Sequence, residues 1–154
     1  MKRAFRSQPS PNGQPNDRDS VAAYLDKLNV LWKQAEEELA VMRISIPVEI
    51  EIKAEYGGEF DAGSGPEPGW HETVYLGWRK VTMDWRICVG LLTDHLDGEK
   101  PICQWRPIAE SPKERRIELA EYYPKLKAKM KDVRQKLVPQ AAAAIASLKQ
   151  ALGD

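Results

Sequence analysis

The sequence has few of the residues from which catalytic and metal sites are built. Its 154 residues include two cysteines and two histidines. No CxxC or HxxxH pair occurs, although zinc sites usually show such close pairs. The glycine pairs stand between two predicted strands, whereas a phosphate-binding loop leads from a glycine-rich turn into a helix. The sequence therefore indicates no metal, no cofactor and no catalytic residues.

Long apolar runs and an export signal are also missing. No stretch approaches the ~20 apolar residues that a membrane-spanning helix needs, and no apolar segment follows the basic N-terminus. We therefore expect a cytoplasmic protein that contacts no membrane. In that reducing compartment Cys88 and Cys103 stay as thiols, and the predicted strand pairing does not place them opposite each other.

The composition is typical of one globular domain. The hydrophobic fraction is 42% and the charged fraction 30%, and a chain of this length can bury a core. Residues 1–19 are rich in Pro, Ser, Asn, Gln and Gly, so we expect a disordered tail there. A single domain is expected at 20–154.

Residues 20–43 are predicted to form the first helix. Apolar residues recur there at intervals of three and four, which places them on one face of a helix. A helix with so broad an apolar face packs on its own sheet more often than it forms a free coiled coil. The apolar seam consists of Val21, Leu25, Leu28, Trp32, Ala35, Leu39 and Met42.

Four strands are predicted near 44–56, 70–80, 85–93 and 101–106. In the first, every even residue from Ile44 to Ala54 is apolar, which is the period of a strand with one buried and one wet face. Pro47 has no N–H to donate, so this strand is expected at a sheet edge. Residues 57–69 are rich in glycine and are expected to form a loop.

The second and third strands form a hairpin whose register follows from apolar pairing. With a turn centred on Thr82 and Met83, one face becomes entirely apolar, and a shift by one residue would mix these residues with glycines. Because residues 81–84 include neither Gly nor Asn, we expect a four-residue loop rather than a two-residue turn. The apolar pairs are Trp78–Ile87, Leu76–Val89 and Val74–Leu91.

The other face of the hairpin carries Gly77, Gly90 and two arginines, Arg79 and Arg86, that stand opposite each other. Facing cations are unfavourable unless anionic groups lie nearby. Carboxylates from a neighbouring strand or helix are the simpler explanation. The alternative is a contact surface for an anion or a partner, formed by Tyr75, Arg79 and Arg86, with the glycines letting a partner backbone approach closely.

The C-terminal region, residues 112–152, is predicted to be helical and interrupted by prolines. Ser111-Pro112-Lys113-Glu114 has the residues of a capping box with proline at the first helical position. Pro124 and Pro139 are expected to kink or break the helix. Unbroken, the region would span about 60 Å, so it either folds back at Pro139 or projects and needs a partner.

Charge is distributed unevenly, although the net charge is zero. Residues 43–72 hold two basic and seven acidic residues, and residues 113–136 hold nine basic and four acidic residues. A basic helix is the usual footprint of nucleic-acid binding, and Lys125, Lys129 and Arg134 are the candidate contacts. Lysines at every second position, however, spread around a helix and do not form one stripe.

Together these elements predict an α+β fold. It is a four-stranded antiparallel meander, with an N-terminal helix and a long, proline-interrupted C-terminal helical region packed on one face. The meander brings both helices to the same end of the sheet, so we expect them to run antiparallel.

The sequence favours a non-enzymatic protein-interaction or assembly module. Its partner, a second copy or another protein, is expected to bind the C-terminal helices. The first alternative is a nucleic-acid-binding accessory protein that uses the basic helix. The second is a small enzyme, which a polar pocket around His71 or His95 would favour.

Overall fold

A computed structural model describes residues 17–57, 69–95 and 98–153, with the side chains of 17–19 and 56–57 left out. The expected disordered tail lies outside the described residues as far as residue 16, and so do residues 58–68 of the expected loop. The elements are α1 (Asp17–Ala40), β1 (Val48–Gly57), β2 (Trp70–Val81), β3 (Asp84–Asp94), β4 (Ile102–Pro107), a 3₁₀ turn (Ile108–Glu110), α2 (Lys113–Ala120) and α3 (Tyr123–Gly153).

The four strands form one antiparallel sheet in the order β1-β2-β3-β4. With one helix before the sheet and helices after it, the predicted α+β fold class is confirmed. The predicted edge position of the first strand is also confirmed. The first helix was expected at residues 20–43 and is observed at Asp17–Ala40, so both of its ends lie three residues earlier than expected.

The predicted register of the hairpin is confirmed along its whole length, including the pair Trp78–Ile87. The expected four-residue loop is wrong. Val81 and Asp84 still pair, so the turn contains Thr82 and Met83 alone. Thr82 has a φ of 58°, so it provides the positive φ at the first turn position that short hairpin turns require and that usually favours glycine.

The first strand starts later and alternates less regularly than predicted. It begins at Val48 rather than residue 44, after Arg43 with a φ of 53°. A bulge between Glu51 and Lys53 adds one residue, and such an insertion reverses which side chains face the core. Lys53 therefore points to the helices, where its Nζ lies 2.8 Å from Oε1 of Glu118.

The core lies between the apolar face of the hairpin and the three helices. Trp78 and Leu76 are buried in its floor, and Leu39 of α1 and Met130 of α3 lie in its cover. The indole N–H of Trp78 donates to the carbonyl of Ile44 at 3.0 Å. The remaining buried apolar residues of this cluster are Trp32, Ile44, Val48, Val74, Ile87, Val89, Ile108, Leu119 and Leu126.

The first helix and the C-terminal helices run in the same direction where they touch, so the expected antiparallel arrangement is wrong. The expectation placed the start of the C-terminal helix at the end of the sheet where β4 finishes. Instead, the 3₁₀ turn at Ile108–Glu110 packs beside α1 and redirects the chain. Residue numbers rise along both helices from one contact to the next. The contacts are Asn29 with Arg116 at 2.6 Å, Ala35 with Tyr123 at 3.3 Å, and Glu38 with Lys127.

The expected capping box is not formed. The hydroxyl of Ser111 donates to the carbonyl of Ile108 at 2.6 Å, and Pro112 takes the N-cap position of α2 without a side-chain hydrogen bond. The break before Pro124 is confirmed, because α2 ends at Ala120 and α3 begins at Tyr123. Pro139, by contrast, lies inside α3, and the helix continues through it.

Replacing Trp78 with phenylalanine is expected to destabilise the fold. The change leaves the buried carbonyl of Ile44 without its donor, and an unsatisfied buried group costs about 1–3 kcal/mol. The free energy of unfolding, measured with urea, should fall by that amount. Trp70→Phe at the exposed start of β2 is the matched control and should change it by less than about 0.5 kcal/mol. Equal losses in the two variants would argue against a role for the indole hydrogen bond.

Candidate interaction surfaces

The indole of Trp105 lies across the face of the sheet opposite the helices. A Cβ atom at Gly90 would lie 2.7 Å from this ring, and one at Gly77 would lie 2.9 Å from it. Only glycine therefore leaves room for the ring at these two positions. Trp105 reaches them because it pairs with Gly90 across the β3–β4 ladder. The space that the sequence suggested for a partner backbone is filled by the chain's own tryptophan.

Arg79 forms the next layer on Trp105. Its Cζ atom is 4.4 Å from the centroid of the indole, which is a cation–π distance, and its Nη1 donates to Oε2 of Glu49 at 3.4 Å. Tyr75 borders the same indole, with 6.2 Å between ring centroids. Burial, followed by the charges of Glu51 and Glu49, raises the pKa of Tyr75. Its hydroxyl therefore stays protonated at neutral pH.

Arg86 is held on the helical side of the sheet edge. Its Nε donates to Oε1 of Glu36 on α1 at 2.7 Å, and Oε2 of the same carboxylate accepts the backbone N–H of Ile87 at 3.1 Å. The last residue of β4 pairs with Cys88, so β4 does not reach Ile87, and Glu36 takes the place of a strand partner.

Both facing arginines thus have carboxylate partners within the chain, one on a neighbouring strand and one on a helix. This is the simpler of the two explanations that the sequence offered. Of the three candidate contact residues, Tyr75 and Arg79 meet at Trp105, whereas Arg86 lies with α1. The signal for Trp105 was available in the sequence, because two glycines on one face of paired strands leave a flat area that a large neighbouring side chain can cover.

A cleft of about 240 Å³ lies between α1, the 3₁₀ turn and α2. Its carboxylate, Glu36, is already bound by Arg86, and neither His71 nor His95 lines it. Within the described ranges, no group of three or more His, Cys, Asp or Glu is placed to hold a metal ion. The lining residues are Asn29, Trp32, Lys33, Glu36, Arg86, Ile108, Ala109 and Arg116.

The two cysteines are free thiols in different surroundings. Cys88 is fully buried, and burial raises the pKa of its thiol to about 11. Cys103 is exposed on β4 and pairs with Leu92, not with Cys88. Partial burial also raises the pKa of Cys103. Thiolate chemistry is therefore disfavoured at both positions near neutral pH, and most strongly at Cys88.

The candidate nucleic-acid contacts on α3 have three different surroundings. Lys125 lies with its Nζ 5.5 Å from the centroid of the Tyr122 ring, and Lys129 donates to the backbone carbonyl of Glu49. Arg134 is exposed further along the helix. Lys125 and Lys129 lie one helical turn apart on one side of α3, whereas Arg134 lies on the other side of the helix.

The distal part of α3, residues 134–153, extends away from the core, and we call it the α3 overhang. All of its residues are exposed, and the helix does not fold back at Pro139. Between residues 137 and 153 the sequence has one charged residue, Lys149. The exposed large apolar residues of the overhang are Leu137, Val138, Ile145, Leu148 and Leu152.

The N-terminal half of α1 also presents an apolar face. Val21, Tyr24 and Leu31 are 59%, 62% and 54% exposed, and Leu25 and Leu28 are half-buried. Next to them lies an apolar groove of about 190 Å³, which we call the α1 groove. Its lining residues are Leu28, Leu31, Trp32, Ala35, Ala120 and Tyr123.

Comparison of the chain with protein-family models, with curated proteins and with solved structures gave no match. In the part of the chain that the structure describes, no helix has both the length and the apolar character needed to cross a membrane.

Gly90→Ala is expected to destabilise the sheet through Trp105. The added methyl group overlaps the indole, and overpacking of this kind costs about 1–3 kcal/mol. In a Trp105→Ala background the space is open, so the same substitution should cost less than about 0.5 kcal/mol. Urea unfolding of the four chains gives the coupling energy. Gly153→Ala, where no atom lies within 4 Å, is the control. Similar costs of Gly90→Ala in both backgrounds would show that Trp105 is not the reason for the glycine.

The thiols are expected to react very unequally with Ellman's reagent. At pH 8 the native protein should release one equivalent, from the exposed Cys103, much faster than the other, because burial and the higher pKa of Cys88 leave almost no accessible thiolate there. In denaturant both thiols should react, and Cys103→Ser should abolish the fast native phase. Two fast equivalents from the native protein would contradict the burial of Cys88.

Proposed function

We propose that this protein is a non-enzymatic interaction or assembly module and that the α3 overhang is its contact element. The observation that supports this function is the exposed apolar seam of residues 134–153. Exposed apolar area is unfavourable in water, and a large contiguous apolar patch marks an interaction site. A helix in solvent also gains little stability from its own backbone.

The seam of the overhang is a continuation of the face that α3 packs into the core. Leu126 and Met130 on that face are fully buried, Val133 is half-buried, and Leu137 is 37% exposed. The helix thus leaves the domain gradually while it keeps the character of a core helix. A partner that covers the overhang would extend the core along α3.

The overhang also has few charges for a helix that remains in solvent. A surface helix normally carries charged residues opposite its apolar stripe, but the outer positions here are uncharged, and Lys149 is the one charge between residues 137 and 153. The positions that flank the seam at 142, 144 and 151 are alanine. Alanine lets a neighbouring helix approach closely. The best match is therefore an apolar helical surface, as in helix-in-groove recognition.

Nucleic-acid binding receives less support from the same helix. Lys127 and Lys136 are paired with Glu38 and Asp132, and Lys129 is bound to a backbone carbonyl. Binding driven by phosphate contacts weakens steeply with salt. A gel shift with DNA or RNA that appears at low salt and disappears when Lys125, Lys129 and Arg134 are changed to Glu would favour this alternative.

Ile145→Glu with Leu148→Glu is expected to abolish association without unfolding the domain. Both side chains are exposed in the single chain, so the melting temperature of the monomer should stay within about 2 °C, as for other surface changes. Binding should weaken by roughly 100-fold or more, because two apolar anchors are replaced by charges. Light scattering reports self-association, and affinity purification from source cells with quantitative mass spectrometry reports other partners.

The matched control is Gln140→Glu with Ser147→Glu, which adds the same two charges to the opposite side of the helix. It should retain self-association and every co-purified partner. If wild type neither self-associates nor carries a partner that the Ile145/Leu148 variant loses, the proposed function is wrong.

A further inference from the structure

We propose that the partner of the α3 overhang is a second copy of this chain. In this arrangement the overhang of each protomer lies antiparallel along the N-terminal half of the other protomer's α1. The proposal rests on the proposed function, since it names the partner of the same helix. Four properties of the chain support it: the position of the two apolar faces, their spacing, their side-chain sizes and their area.

The two uncovered faces lie at opposite ends of the molecule. The first helix and α2–α3 run in the same direction where they touch, from Asn29 beside Arg116 to Glu38 beside Lys127. The uncovered part of α1 precedes this contact region, and the overhang follows it. A two-fold axis between two protomers therefore brings each overhang beside the partner's α1, with the helices antiparallel.

The spacing of the two seams matches in that direction. The α1 seam advances by four, three and four residues, and the overhang seam, followed backwards, does the same. This agreement brings the uncovered seam residues of α1 opposite seam residues of the overhang in one register, as in an antiparallel coiled coil. The pairs are Val21 with Leu152, Leu25 with Leu148, and Leu28 with Ile145. The pairing ends where Ala141 lies beside Trp32, which is already buried in its own chain.

Side-chain sizes are complementary in this register. Trp32 is only 5% exposed and borders the α1 groove with its edge, and the residue that lies beside it, Ala141, is small enough not to displace it. The exposed flanking residues Tyr24 and Leu31 lie opposite Ala151 and Ala144, which leave room for them. On the other flank Lys149 lies opposite Ala22, two helical turns before Asn29, whose side chain accepts a hydrogen bond from Arg116.

The area also favours an exchange of both faces. The paired part of the overhang, residues 141–152, is about 17 Å long at about 1.5 Å per residue, and half of a cylinder ~10 Å wide over that length is about 270 Å². One such face falls far short of the ~800 Å² per partner of a standard interface, whereas two faces per protomer bury about 1,100 Å² over both chains, which reaches the ~1,000 Å² expected of a specific interface. A second copy supplies both surfaces at once, and the two-fold arrangement closes without leaving an unpaired end.

Disulfide trapping in a Cys103→Ser background tests this register. One chain carries Leu25→Cys and a second carries Leu148→Cys, so that their sulfurs meet only across the proposed pair. After mild oxidation, disulfide-linked dimer should form in the equimolar mixture and be absent from either chain alone. Ala146→Cys, on the outer side of the overhang, replaces Leu148→Cys as the control and should not cross-link. Light scattering of the wild type should give twice the mass of the chain.

Each alternative outcome overturns a defined part of the proposal. Cross-linking of the Leu148→Cys chain with itself would show that overhangs pair with each other. Particles that grow with concentration beyond two chains would show a parallel, head-to-tail arrangement. A wild-type monomer at 100 µM, with another protein lost from the Ile145/Leu148 variant, would overturn self-association but leave the proposed function standing. A monomer with no such partner would overturn both.

Discussion

The register of the β2–β3 hairpin determines where most other parts of the molecule lie. Because Trp78 pairs with Ile87, one face of the hairpin is apolar throughout and forms the floor on which three helices pack. The same register aligns Gly77 and Gly90 on the other face, and this flat area receives Trp105 from β4. A slip of one residue would exchange the two faces, and neither the helices nor Trp105 would have a surface to cover.

The sequence predicted those parts of the fold that depend on repeated, local patterns. Apolar alternation identified the strands and their pairing, and the interval of three and four residues identified α1. Single residues that override a pattern were not predictable in the same way. The bulge before Lys53 reverses an otherwise regular alternation, and Thr82 adopts a positive φ that its side chain does not favour. The favourable capping sequence at Ser111 was also overridden, because the 3₁₀ turn places its hydroxyl beside Ile108.

The sequence predicted that carboxylates would lie near the two facing arginines, but it did not show which carboxylates they are. Facing cations required nearby carboxylates, yet nothing in the local sequence pointed to Glu36 on a helix 50 residues away. Its position follows from the short β4, which leaves the N–H of Ile87 for a side-chain acceptor. The carboxylate of Glu36 thus pairs with the charge of Arg86 and also accepts the backbone N–H of Ile87 at the edge of β3. The candidate residues Tyr75 and Arg79 belong to a packed layer around Trp105, and most of the exposed large apolar residues lie on the helices.

The apolar area on α3 lies outside the core of the single domain, because Val133 is the last residue of this helix that packs against the core. Beyond Val133 the helix continues for 20 residues, all of them exposed. Pro139 removes one intrahelical hydrogen bond and would be costly in a core helix, but at this position it lies outside the core. Since the seam of the overhang continues the face that α3 packs inside the domain, the same physical interaction that closes the core would act between chains. The fold and the association would then depend on one apolar face of a single helix.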